Sequence, residues 1–481
     1  MRHRPLSVDS AGRARPSDRF EARHWDSAQD ELLAVLQALI RLPTVNPPGD
    51  EIVAARFVES VLDEAGIPST LVEPAPGRGS IVARLRGDGA GGRPLLLLSH
   101  LDVVPAPPEG WTHEPFSGDL ADGYVWGRGA VDMKDMVALE LSVMTQLAAE
   151  ARAAGRDPAS DPVPGLRRDV VFAATADEEA GGLAGASWLV EQHPDWLAAD
   201  GCLNECGGVS IEVAGGRFYP IQVAEKGYAQ YRLRIRGSWG HASMPRDDNA
   251  ILLVSEVVTR LAQPGEARPT PLMRAFIESV ARALPRRTAE VVASILDADA
   301  RRSEAALAQV CDPASAGALR ALVRDTIAPT IVASGVKTNV IPGEAELYVD
   351  CRTLPGTDDV AMRAELRRRL GEELWSRVEC EPVLLGPAVE SPSDTQLYAI
   401  LENTLREHDP EAIPLPVMAP FGTDAKHTTR LGIPTYGFSP LRLRPEDRFL
   451  ELFHGADERV SIEGLRFGLP VLYDVVRRFC G

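Results

Sequence analysis

Cysteine is scarce in this chain: six residues in 481, at positions 202, 206, 311, 351, 380 and 480. They are too few and too scattered for a disulfide-stapled scaffold or a paired CxxC zinc site, so a reducing cytoplasm is the expected compartment. Long apolar runs are also missing. None approaches the ~18 residues that a membrane span needs, and the Arg-rich opening MRHRPLSVDSAGRARPSDRFEARHW lacks the apolar stretch of a secretory signal. Residues 1–26 therefore read as a flexible leader. Basic residues are outnumbered, 51 against 69 acidic, and the net charge of −18 speaks against a general affinity for nucleic acid or an anionic membrane. No internal repeat is visible.

What is present is a globular mixture, 44% hydrophobic and 25% charged, with length for two or three domains at roughly 150 residues each. AQDELLAVLQALIRL and IVAARFVESVLDEAG carry helical spacing on either side of the prolines in TVNPPGDE. SIVARL, PLLLLSHLDVV, RDVVFAATAD and ADGCLNE then read as strands alternating with helices, which predicts an α/β fold, a mixed sheet flanked by helices. Beyond Gly227 the texture changes. YRLRIRG alternates as a half-exposed antiparallel strand does, and an Ala- and Arg-rich helical stretch runs from about Pro264 to Thr326. GIPTYGF and the terminal helix SIEGLRFGLPVLYDVVRRF return to the first texture. The expected division is a main domain over 27–227 and 387–481 with a smaller α+β domain, 228–386, inserted into it.

Several chemistry-bearing residues fall at predicted strand ends. In SHLDVVP, His100 and Asp102 share one strand face, so the carboxylate can orient the imidazole; a plain structural hydrogen bond is the alternative. Asp132 lies in the glycine-rich WGRGAVDMKD. A phosphate loop is excluded there by the missing GKS or GKT ending and by the loop's own acids, while a helix cap stays open. ATADEEAGG ends a buried strand in Asp177, Glu178 and Glu179, three anions that a cation would relieve or that a solvated helix start would tolerate. Glu205 follows another strand, and His454 in FHGADERV is either a ligand or a surface loop histidine. Together, two histidines and three carboxylates in this order suit two zinc-like ions.

HLDVVP, GRGAVDMKD, ATADEEAGG, NECGG, HASMP, TNVIPG, DCRTLPG, GTDAKH and HGADERV resemble, from about Ser27 to the C-terminus, one dinuclear metallopeptidase family. Its members include aminoacylase, acetylornithine deacetylase, succinyl-diaminopimelate desuccinylase and glutamate carboxypeptidase. The resemblance implies a zinc-exopeptidase-like catalytic domain interrupted by a lid and dimerisation domain. It implies that His100, Asp132 and Glu205 bind one or both of two divalent ions, with Asp132 bridging, and that Glu179 and His454 complete the two shells. Zinc is the expected metal, with cobalt or manganese as substitutes. Glu178 is then the general base and Asp102 orients His100. In the lid, His241 would donate to the oxyanion, and Asn339 and Arg352 would bind substrate, ordinary strand-end or surface roles being the alternatives for all three. Two departures stand out: Cys206 replaces a common glycine after Glu205, and Lys426 stands where arginine is usual.

The expected activity is hydrolysis of an amide bond next to a free carboxylate, in a dipeptide or N-acyl amino acid, by a homodimer. The alternatives are a biosynthetic deacylase of acetylornithine or succinyl-diaminopimelate type and a metal-free binding protein on the same fold.

Overall fold

The computed structural model describes residues 22–213, 216–297, 299–310, 313–444, 447 and 449–481. Most of the expected leader lies outside the described residues, but Ala22–Asp26 do not: they form the start of the helix Ala22–Ile40. The chain clusters into two units, one of residues 1–223, 391–416 and 423–481, the other of 224–390 and 417–422. Among the described residues no helix is long and apolar enough to cross a membrane.

The first unit is built on a mixed sheet. Its strands run in the order Ser69–Val72, Ser80–Leu85, Val170–Thr175, Leu95–His100, Gly201–Asn204, Thr435–Gly437 and Gly216–Glu225. Val170–Thr175, Leu95–His100, Gly201–Asn204 and Thr435–Gly437 are mutually parallel. The first three are buried at every residue, which is why LLLLSH is continuously apolar rather than alternating. Leu96 and Leu98 pack on one face with Val171, Leu189 and Leu197. On the other side the strand Leu95–His100 meets the helix Lys134–Ala153, which also packs against Ala22–Ile40 and the terminal helix Ile462–Cys480.

Register brings the functional ends together. His100 pairs with Thr175, so the residues just beyond Thr175 emerge beside His100, and Leu97 pairs with Leu203, which sends Glu205 out nearby. The carboxyl ends of parallel strands are where sheets of this type assemble sites.

The second unit is an antiparallel sheet in the order Thr326–Ser334, Glu344–Thr353, Gly227–Arg236, Val378–Gly386. Tyr231, Leu233, Ile235, Leu347 and Val349 pack under the helices Ala250–Leu261 and Asp359–Trp375. The helical insert resolves into Pro271–Arg282, Arg286–Ala293, Ala300–Val310 and Pro313–Leu322.

Candidate metal centre

His100 is the last residue of its strand and is 1% exposed. Its Nδ1 donates to the backbone carbonyl of Asp102 at 3.0 Å, with the Asp102 carboxylate slightly farther, at 3.4 Å. That contact fixes the tautomer and leaves Nε2 facing Asp132 Oδ1 at 3.1 Å and Glu205 Oε2 at 3.6 Å. On the other side of Asp132, Oδ2 lies 3.2 Å from His454 Nε2, which is also 3.3 Å from Glu179 Oε2. One carboxylate therefore sits between two imidazoles, with one oxygen turned to each. Asp132 is no helix cap: Met133 occupies that place and makes no side-chain cap bond.

Two sets of ligand atoms gather within 4.8 Å of one another, His100 with Asp132 and Glu179, and His100 with Glu178 and Glu205. Burial works against this crowd of acids. Desolvation, with the charges of Asp132 and Glu178 nearby, pushes the Glu205 carboxyl up to about 8, and Glu179 rises to about 7 for the same reasons. Hydrogen bonds to Asp132 and Glu179 raise His454 to about 10. Glu179 Oε1 is buried with no hydrogen-bond partner among the described residues. Divalent cations supply what this arrangement lacks, positive charge and a partner for the lone pair of the stranded oxygen, and a set of imidazole and carboxylate ligands suits zinc-like ions. The residues present fit such a centre.

The sequence profile described as peptidase family M20/M25/M40 matches residues 96–478. The chain belongs to this family. It is a metal-dependent amide hydrolase. Along 454 residues it is 29% identical to the N-fatty-acyl-amino acid synthase/hydrolase PM20D1 of Xenopus tropicalis, covering 92% of this chain and 84% of that protein. The probable carboxypeptidase S-like 2 of Dictyostelium discoideum is 28% identical over 83% of this chain and 74% of its own. In fold, the chain is similar to a M20 family metallo-carboxypeptidase from Sulfolobus solfataricus, with a TM-score of 0.66 at 16% identity over 94% of this chain and 99% of that one.

Around the cluster stand Asn46, Glu51, Arg78, Arg128 and Glu458, which motif reading passed over, beside Asp102 and Asp177, which it named. Asp102, fully buried, receives the backbone N–H of Glu178 on Oδ1 at 3.1 Å and that of Glu179 on Oδ2 at 3.0 Å, while Asn46 Nδ2 donates to Oδ2 at 2.8 Å. Its carboxylate thus holds the acidic turn more directly than it holds His100. Asp177, read above as one of three clustered anions, is taken up by other partners and joins neither set of ligand atoms. It adopts a left-handed backbone (φ 72°), its carboxylate pairs with Arg78, and its Oδ2 accepts from Ala184 N at 2.8 Å. Arg78 also pairs with buried Glu51 at 3.0 Å. Glu458 is fully buried; it accepts from Val131 N at 2.9 Å and pairs with Arg128, which ties the His454 loop to the Asp132 turn.

Lys426, the unusual lysine, places Nζ 3.5 Å from Glu178 Oε1. The Cys206 thiol donates to Glu205 Oε2 at 3.4 Å, and burial pushes its pKa well above the usual thiol value, so it stays protonated beside the cluster.

The second unit carries His241, Asn339 and Arg352. His241 is exposed and pairs in register with Val340, next to exposed Asn339, whose carbonyl accepts from Ala242 N at 3.1 Å. Its Nδ1 is engaged by Ser243, through the backbone N at 3.2 Å and Oγ at 2.8 Å. Arg352 is held by Asp350 through Nε at 2.7 Å and Nη2 at 3.3 Å, and its guanidinium lies 5.9 Å from the Tyr228 ring centroid.

Proposed function

We propose that this enzyme hydrolyses the amide bond next to a free carboxylate in dipeptides or N-acyl amino acids, with two divalent ions held by His100, Asp132, Glu179, Glu205 and His454. The observation that carries the reading is the Asp132 carboxylate set between His100 and His454. Zinc is the proposed metal, and cobalt or manganese the substitutes. Held by these residues, such ions would supply Lewis acidity, lowering the pKa of water and polarising the scissile carbonyl.

Glu178 is the proposed base: it takes the water proton and returns it to the leaving amine, which would otherwise depart as an unstable anion. Its backbone is fixed by the N–H bond to Asp102, and Lys426 stands 3.5 Å from its Oε1. His241 is the proposed donor to the oxyanion and Asn339 a substrate contact. The Xenopus relative, an N-fatty-acyl-amino acid synthase/hydrolase, and the Dictyostelium relative, a probable carboxypeptidase S-like protein, support the acid-bearing half of the substrate. Purified protein is expected to carry up to two divalent ions per chain, to lose activity to a chelator and to regain it with zinc. Full turnover of dipeptides and N-acyl amino acids by metal-free protein would sink the proposal.

Arg352 is the proposed partner of the substrate carboxylate, because its planar fork presents two donors. Asp350 holds that fork ready but leaves the side chain part-exposed. Amidated substrates should react poorly, and Arg352→Ala should erase most of that preference, since a charge-assisted hydrogen bond contributes about 1.5–3 kcal/mol. An unchanged ratio of free-acid to amide turnover rejects the assignment.

A homodimer formed through the second unit is also proposed. Thr326–Ser334 is an edge strand of its sheet and exposes Ile331 and Val332, while the helix Ala250–Leu261 exposes Ile251 and Leu252. Unpaired edges of this kind recruit other strands. Sedimentation equilibrium should return twice the chain mass, and a monomer at micromolar concentration would refute it. The cytoplasm is proposed as the compartment, supported by the free state of all five described cysteines.

A further inference from the structure

The helical insert of the second unit has no part in the chemistry above, yet it walls a cavity of about 360 Å³ between its helices, the segment after Leu261 and the start of the strand Thr326–Ser334. Arg320, Arg324 and Arg369 line it. Arg324 is the most confined. It is 1% exposed, its Nη2 donates to buried Ser303 Oγ at 2.8 Å, Nη1 pairs with Glu304, and Nε has no partner among the described residues. A buried guanidinium N–H without an acceptor costs about 1–3 kcal/mol, so the wall that Arg324 forms is short of an acceptor.

The charges around the cavity leave the same deficit. Glu304 serves two guanidiniums at once, accepting from Arg320 Nε at 3.0 Å and Nη2 at 2.7 Å as well as pairing with Arg324. Glu365 accepts from Arg369 Nε at 2.8 Å but also from Arg368. Asp325 lines the cavity, but its oxygens are engaged by Leu354 N at 2.7 Å, by Thr357 Oγ1 at 3.3 Å and by Arg268. Underneath, the buried Lys226 Nζ donates to the carbonyls of Ala321 and Arg324, each at 2.8 Å, and so anchors the backbone that carries Arg320 and Arg324. Three guanidiniums line the cavity, and the carboxylates beside them, Glu304, Glu365 and Asp325, are each shared with a further arginine or other donor. Gly265 fits this crowding, since a Cβ there would come within 2.5 Å of Arg369 Nη2.

We infer that this cavity binds a small oxyanion, whose oxygens compete with Glu304 for the Arg320 fork beside the guanidiniums of Arg324 and Arg369. Guanidinium groups favour carboxylate and phosphate because the paired N–H donors match paired oxygens. The volume admits a ligand about the size of an amino acid or a small dicarboxylate. Two sources share this chemistry: the carboxylates that amide hydrolysis releases, and inorganic phosphate. The site belongs to the insert itself and does not rest on the roles proposed for the metal cluster.

Isothermal titration of the full metal-loaded protein with succinate and, separately, with inorganic phosphate, against chloride at equal ionic strength, tests the inference. At least one anion should bind saturably at this site. Arg320→Ala should weaken that binding at least tenfold, whereas Glu304→Gln, which removes the competing carboxylate, should tighten it by a similar factor. Opposite signs are the signature, because a general loosening of the insert would move both variants the same way. Both substituted residues are part-exposed, so the variants remain readable if changes at buried Arg324 prevent folding. Binding of succinate alone assigns the site to carboxylates, and binding of phosphate alone to phosphoryl ligands. Anions bound only at the metal centre would be insensitive to both substitutions, and that result overturns the inference, as does absence of saturable binding by either anion.

Discussion

Glu178→Gln is expected to lower turnover by about 100-fold or more, the usual effect of removing a positioned acid–base group, while metal content stays at the wild-type value. Glu179→Gln is expected to do the reverse, weakening metal retention first. The two neighbours are distinguished by what they face. Glu179 Oε2 lies 3.3 Å from His454 Nε2, whereas Glu178 Oε1 lies 3.5 Å from Lys426 Nζ. Geometry alone also admits a Glu178 oxygen to a ligand set with His100 and Glu205, so metal analysis of the variant is the deciding measurement. A Glu178→Gln protein that loses an ion would make Glu178 a ligand and transfer the proton-shuttling role elsewhere.

In the sequence His100, Asp132, Glu178, Glu179 and Glu205 are marked locally, by a strand end, a glycine-rich turn or a run of acids, whereas His454 is singled out as a ligand only through the family resemblance. Parallel pairing does the rest: once Leu95–His100 lies between Val170–Thr175 and Gly201–Asn204, their carboxyl ends converge without further information. Arg78 and Asn46 were not legible for the opposite reason. Arg78 meets Asp177 across 99 positions and Asn46 meets Asp102 across 56; nothing near either residue announces the partner. Asn46 was visible only as part of TVNPPGDE, a break between helices.

Two elements of the second unit were hidden by their composition. Thr326–Ser334 contains Pro329 and a register shift beside it, as an edge strand tolerates and a central strand does not. The helix Asp359–Trp375 is rich in arginine and interrupted by Gly371 at φ 76°, so its buried Met362, Leu366, Leu370 and Leu374 make a thin apolar seam.

Asp102→Ala is expected to destabilise the metal-free protein by about 3 kcal/mol, because three donors, Asn46 Nδ2 and the backbone N–H groups of Glu178 and Glu179, lose their acceptor together. Burial opposes the charge on Asp102, yet the hydrogen bonds from His100, Asn46 and Glu179 N–H outweigh it and hold the carboxyl below its ordinary pKa. His100 itself should suffer less than a role confined to orienting it would require. Its Nδ1 keeps the Asp102 backbone carbonyl at 3.0 Å, which no substitution at this position removes. Metal affinity should still fall, within the 10–100-fold range typical of lost outer partners, through displacement of Glu179 in the loosened turn. Asp102→Asn retains the shape and one acceptor oxygen, so it should recover part of the stability while turning an N–H toward one of the donors. Denaturation midpoints of the chelated proteins, followed by zinc titration, separate the two effects. If chelated Asp102→Ala unfolds at the wild-type midpoint, the carboxylate does not organise the acidic turn, and its action is confined to the imidazole.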